Sequence, residues 1–141
     1  MPADPFEHAR ALWFEEYADS DFITLAGRNI FLPIVLNQLR GKPADIAGAQ
    51  SVAKEKLPPF LDYLDRSIAG REFYVGKKMT VADISIASPF INLKHAGYSL
   101  DAKRWPSLNE FVERLHARPS FKKLYEEEKP IFHKPVAGLT S

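Results

Sequence analysis

The sequence predicts an all-α protein, a helical bundle of about five helices, and three observations carry that expectation. Apolar residues recur at three- and four-residue spacing through most of the chain, with no strict alternation of the kind a half-buried strand needs. Helix-start signals precede the periodic stretches at Asp4-Pro5, Thr80-x-x-Asp83 and Ser107-x-x-Glu110. Single glycines, Gly41, Gly70 and Gly97, stand where those stretches end.

The first element spans residues 6–40 as one long helix or two abutting ones, with Phe6, Ala9, Leu12, Tyr17, Ile23, Ala26, Ile30 and Ile34 at helical spacing. Asp4 is expected as its N-cap and Pro5 at the first helical position, where the missing N–H is harmless. Phe22 to Leu39 is apolar on most sides and expected to be deeply buried, and Pro33 inside it to kink or interrupt the helix. A second helix, residues 45–69, carries the stripe Ile46, Ala49, Ala53, Leu57, Phe60, Leu64 and Ile68, which keeps phase across Pro58-Pro59 and so predicts a bend rather than a break. Residues 71–79 read as a loop anchored by Phe73, Tyr74 and Val75.

The strongest local signal follows. Thr80 and Asp83 have the spacing of a capping box, and Met79 and Ile84 that of a hydrophobic staple. A catalytic carboxylate is the rival reading of Asp83, and capping outweighs it because the spacing to Thr80 accounts for the residue without a substrate. The helix they open runs to Gly97 and is apolar nearly all round, which predicts the central, buried helix, with a local kink at Pro89. Residues 107–117 form a fourth helix with Leu108, Phe111, Val112 and Leu115 inward and a capping box from Ser107 and Glu110. Arg118-Pro119-Ser120 restarts a last helix to about Glu128. Residues 1–128 are thus assigned to one helical domain and residues 129–141 to a loosely packed tail.

Composition narrows the functional classes. The 141 residues carry a formal charge of +1, so no global field draws nucleic acid or an acidic membrane. No uninterrupted apolar run approaches the roughly 18 residues of a membrane span, and the acidic, polar start does not read as a secretory signal. Cysteine is absent, which removes disulfides and thiolate chemistry and fits the cytoplasm. The four histidines, His8, His95, His116 and His133, lack metal-ligand spacing, so no metal is expected. His95 reads as a helix-end histidine favoured by the dipole. The acidic stretch Glu15-Glu16 to Asp19 and Asp21 reads as a solvated face, or as a polar contact to a ligand or partner. Glu126-Glu127-Glu128 reads as a solvated helix end. Tyr17, Arg28 and Tyr98 are polar groups on apolar elements, expected to pack with a wet tip. No nucleophile motif or phosphate loop is present, and no catalytic residue is assigned.

Three segments in order carry a resemblance. Phe73 to Phe90 (FYVGKKMTVADISIASPF) resembles the region opening the buried helix in the C-terminal domain of cytosolic glutathione transferases, with Val75, Gly76, Thr80 and Asp83 at the family's positions. RWPSLNEFVERLHARPSFKKL resembles that family's aromatic-Pro helix followed by Arg-Pro and a last helix, here Trp105, Pro106, Leu108, Arg118, Pro119 and Phe121. The opening PADPFEHARALWFEEYADS resembles the first helix of bacterial members, so the resemblance covers residues 3–128. It implies the all-helical half of a two-domain enzyme that adds the glutathione thiolate to small electrophiles, with glutathione as co-substrate held mainly by a thioredoxin-like domain that this sequence lacks. The family's thiolate-stabilising residue belongs to that domain, so the chain alone is expected to be inactive. The resemblance further implies a share in the electrophile pocket, with Tyr17, Asp21 and Arg28 as candidates to line it, and a homodimer using the first two helices. The rival readings are a stand-alone protein-interaction module of the same fold and a helical ligand carrier.

Overall fold

A computed structural model of the chain describes residues 1–140. Among them there is no β-strand, and five helices form the body: α1 (Pro5–Leu39), α2 (residues 46–68), α3 (Val81–Ala96), α4 (Pro106–His116) and α5 (Pro119–Phe132). The central helix α3 packs against α1, α4 and α5, while α2 packs against α1 and α4.

α1 begins as its sequence dictates. Asp4 Oδ1 accepts from the Glu7 N–H at 2.9 Å, with Pro5 in the first turn. The helix then runs 35 residues, so of the kink or interruption expected at Pro33 the interruption does not occur. Wide turns absorb the proline instead. Over Ala18–Phe22 and Thr24–Leu36 the backbone bonds reach back five residues, as from the Asn37 N–H to the Leu32 carbonyl. A wider turn moves the preceding carbonyls away from the proline ring. It also frees the Pro33 carbonyl, which accepts from the Asp45 N–H at 3.2 Å and ties the end of α1 to the start of α2. Gly41, at φ +70°, closes α1, and the Lys42 N–H returns to the Asn37 carbonyl at 2.8 Å. By length and mean hydropathy α1 is apolar enough to cross a bilayer, although no single run in the sequence suggests it. Here Phe22, Ala26, Ile30 and Ile34 are spent on the core, each fully buried.

α2 repeats the device. Leu57 N–H reaches back to the Val52 carbonyl just before Pro58-Pro59, so the helix continues through the prolines. The wide turn shifts the phase of the stripe slightly: Leu61 is fully buried, while Phe60 is half-buried and Ile46 exposed. In α4 the expected Ser107–Glu110 capping box does not form. The free amide at its start is met from another helix, by Asp65 Oδ1, which accepts from the Leu108 N–H at 2.9 Å. Next to it, Trp105 Nε1–H donates to Asp62 Oδ1 at 2.7 Å.

The segment expected to be a loose tail differs in two ways. α5 continues to Phe132, so the boundary drawn at residue 129 falls inside a helix. Beyond it the chain lies down as a strap. Lys134 and Val136 N–H donate to the His95 and Ala96 carbonyls, both at 3.0 Å, at the end of α3. Gln38 Nε2–H donates to the Lys134 carbonyl at 3.0 Å, and Leu139 is buried. These carbonyls need partners because a helix end leaves its last acceptors unmet.

Candidate functional site

α3 is less enclosed than its composition suggests. One face is buried through Ala82, Ile86, Ala87, Phe90 and Leu93, but Ile84 is 43% exposed and Ser88 is exposed. That second face floors a cleft of about 310 Å³. Asp19 and Ile23, on the wide turns of α1, form one wall, and Phe121, Leu124 and Glu128 of α5 form the other. Ser85, Ser88 and Asn92 of α3 add uncharged polar groups to an apolar surface that includes Ile84 and Ile91. A concave, mostly apolar site with a few polar groups is the usual form of a small-molecule pocket.

The wide turns belong to the architecture of this site. Extra residues per turn change which side chains of α1 face α3, and such turns recur at functional positions. Sequence periodicity at 3.6 residues cannot foresee that phase: Ile23 reads as part of an apolar stripe and Asp19 as part of a solvated face or a polar contact, and neither reading puts the two on one wall.

The floor is fixed by Thr80 and Asp83, which form the predicted capping box. Asp83 Oδ2 accepts from the Thr80 N–H at 2.7 Å and from its hydroxyl at 3.2 Å, while Oδ1 accepts from the Tyr74 N–H at 2.9 Å. Asp83 is fully buried. Burial pushes its carboxyl above the ordinary range, and the hydrogen bonds from Thr80 and Tyr74 pull it back. All its near partners are structural, so Asp83 holds the 73–75 loop and the start of α3 in register.

The three residues proposed from the resemblance are placed differently. Tyr17 sits between α1 and α2, its ring 5.3 Å from Phe60 and 5.0 Å from Tyr63. Burial first, then Tyr63 and Asp21, push its hydroxyl up to about 12, so it stays protonated at neutral pH. Asp21 is exposed and near enough to contribute to that shift. Arg28 is exposed and makes no hydrogen bond or ion pair with the described residues. None of the three lines the cleft floored by α3; Tyr17 and Asp21 lie near enough to interact.

Two further residues depart from expectation. His95 is a helix-end residue, but it is also almost fully buried, and its Nε2 lies 3.1 Å from Glu128 Oε2. Its ring stacks on Tyr125 at 5.0 Å. Glu128, read from sequence as part of a solvated helix end, is thus held in place at the edge of the cleft; Glu126 and Glu127 are exposed. A pairing between residues 33 apart leaves no local sequence signal. Among the described residues, no group of three or more His, Asp or Glu side chains is arranged to hold a metal ion.

The fold is an all-helical bundle with a buried, box-capped central helix beside an apolar cleft. Residues 32–128 match the family described as glutathione S-transferase, C-terminal domain, and the chain belongs to that family. Glutathione S-transferase U1 of Arabidopsis thaliana is 25% identical over 121 residues, covering 82% of this chain and 48% of that protein. A glutathione S-transferase from Sinorhizobium meliloti 1021 superposes with a TM-score of 0.80 at 20% identity, over 99% of this chain and 61% of that one. FzlA from C. crescentus superposes with a TM-score of 0.81 at 21% identity, again over 99% and 61%. The chain therefore spans about half the length of the curated relative it matches.

Proposed function

We propose that this chain supplies the helical half of a glutathione transferase, whose reaction joins the glutathione thiolate to a small electrophile. The cleft between the wide turns of α1, the exposed face of α3 and α5 is the observation that carries this reading. In it the cleft is this half's share of the electrophile pocket. Glutathione is the co-substrate, and a thioredoxin-like half holds most of it and supplies the thiolate-stabilising group. The chain's own residues contribute shape and desolvation around the electrophile, which raise the effective concentration of the reacting pair. Arg28, exposed and unpaired, is available to a carboxylate of glutathione or to a polar electrophile. The reading places the protein in the cytoplasm, in detoxification of small electrophiles.

The test is turnover of a general aryl-halide electrophile by the chain joined to a glutathione-binding thioredoxin-like half. Turnover is expected from the joined protein and none from the chain alone. Ile84→Trp, which fills the cleft from an exposed position, is expected to raise KM for the electrophile several-fold while Tm holds. No turnover from the folded joined protein refutes the transferase reading.

A second feature supports an interaction role beside this one. Phe6 is 71% exposed and Trp13 58%, both on the first turns of α1. Trp13 Nε1–H donates to the Tyr63 hydroxyl at 3.0 Å, so the exposed indole is held rigidly on α2. Held aromatic surface of this kind suits a protein interface. A homodimer using α1 and α2 fits it. Trp13→Glu is expected to convert a dimer into a monomer by light scattering, and a wild-type monomer at high concentration removes this reading in favour of a different partner.

A further inference from the structure

The cleft has a one-sided charge. Two carboxylates, Asp19 on α1 and Glu128 on α5, stand on opposite walls of the apolar floor, and no lysine or arginine is among the described residues that line it. Asp19 is exposed and has no hydrogen-bond or ion-pair partner among the described residues. Glu128 is held from behind by the buried His95, which fixes the carboxylate's position at the cleft. Ser85, Ser88 and Asn92 supply only uncharged polar groups between them. The cations lie elsewhere: beyond Ile91 and Phe121 a separate hollow carries Lys94 and Lys122.

We propose that the cleft selects small apolar electrophiles that also carry a positive charge, such as an alkylammonium group, and rejects anionic ones of the same shape. This rests on the reading of the cleft as the electrophile pocket and names the class of substrate it takes. The physical reason is that an anion entering the cleft loses water beside two carboxylates with no lysine or arginine on the lining to compensate, and with His95 already engaged by Glu128, whereas an ammonium group is attracted by both walls, most strongly by the unpaired Asp19. The apolar body of the ligand is served equally in either case by Ile23, Ile84 and Leu124.

The test uses the 141-residue chain and three probes with one body: 4-phenylbutylammonium, 4-phenylbutanol and 4-phenylbutanoate. Binding is measured by titration at low salt and about pH 7.5, where carboxylates are ionised, and located by the methyl shifts of Ile23 and Ile84. The ammonium probe is expected to bind about tenfold more tightly than the carboxylate, with the alcohol between them. That preference is expected to shrink in Asp19→Asn and Glu128→Gln, to vanish in the double variant, and to weaken at high salt. Equal binding of all three at Ile23 and Ile84 overturns the charge selection and leaves the cleft reading standing. Binding of the carboxylate probe in preference, or a preference that survives the double variant, also overturns it. If no probe shifts those methyls at millimolar concentration, the cleft reading itself falls and takes this proposal with it.

Discussion

Replacing Asp83 by alanine removes the acceptor for two main-chain donors at once. The Tyr74 N–H, at 2.9 Å, and the Thr80 N–H, at 2.7 Å, both lose their partner, and the Thr80 hydroxyl loses a third bond. Leaving a buried donor unmet costs about 1–3 kcal/mol each. Removing a buried carboxylate returns part of that, because burial disfavours its charged form. The expected net loss is about 3 kcal/mol, or roughly a 10 °C fall in Tm for a domain of this size. Asp83→Asn keeps one carbonyl oxygen for the Tyr74 amide and is expected to lose about half as much. Urea and thermal unfolding followed by circular dichroism read both values. The order wild type, Asn, Ala is the signature. An alanine variant within about 0.5 kcal/mol of wild type, or an asparagine variant less stable than alanine, refutes the argument. The pH dependence adds a second check. The folded-state carboxyl titrates above its ordinary 3.8, so the folded chain binds more protons than the unfolded chain in that window. Stability contributed by Asp83 is then fully present below 3.8 and declines as pH rises through the folded value. The gap between wild type and Asp83→Asn is expected to narrow from acid toward neutral pH.

Gly97 sits at φ +98°, and a Cβ there would lie 2.6 Å from the Val136 carbonyl oxygen and 2.8 Å from its nitrogen. Gly97→Ala is expected to cost about 2–3 kcal/mol and to speed hydrogen exchange at the Lys134 and Val136 amides, because the strap must move away. His116 is half-buried and donates Nε2–H to the Ala87 carbonyl at 2.8 Å. Burial first, then Lys94, lowers its pKa below 6.5, so the unfolded chain takes up a proton before the folded one. Its contribution is fully present above the ordinary 6.5 and is lost as pH falls from there through the lower folded value; His133, lowered first by burial, adds the same sign. Tm is expected to drop as pH falls below the ordinary histidine value of 6.5, and to drop less in His116→Gln. Arg28→Ala, in the chain joined to a thioredoxin-like half, is expected to raise apparent KM with Tm unchanged; wild-type KM removes Arg28 from the substrate's path.

The candidate site was legible only in part, and the reason lies in sequence distance. The Thr80–Asp83 box could be read because both partners lie within one turn. Its third partner, the Tyr74 amide, could not, because the contact depends on how the preceding loop folds back. Tyr17 reads from the sequence as a polar group on an apolar element, and only the fold shows its ring in an aromatic cluster with α2. Asp19 reads from the sequence as part of a solvated face, or as a polar contact to a ligand or partner, and the wide turns of α1 bring it to the cleft wall. His95 and Glu128 each looked like an ordinary helix-end residue until the fold paired them.

The sequence by itself determined the all-α class, the caps of α1 and α3, the glycine stops and the buried face of α4. These rest on contacts among neighbours three to five residues apart, which periodicity and capping chemistry encode directly. The tertiary structure decided the cap of α4, supplied by Asp65 across the bundle, the strap over the end of α3, and the open face of α3 beside α1 and α5. Each joins residues from different helices, and the angle and phase at which helices meet depend on packing all of them together. Wide turns at Ala18–Phe22 and Thr24–Leu36 rotate α1 against that packing. A 3.6-residue wheel has no term for that rotation, so the walls of the cleft appear only once the helices are in contact.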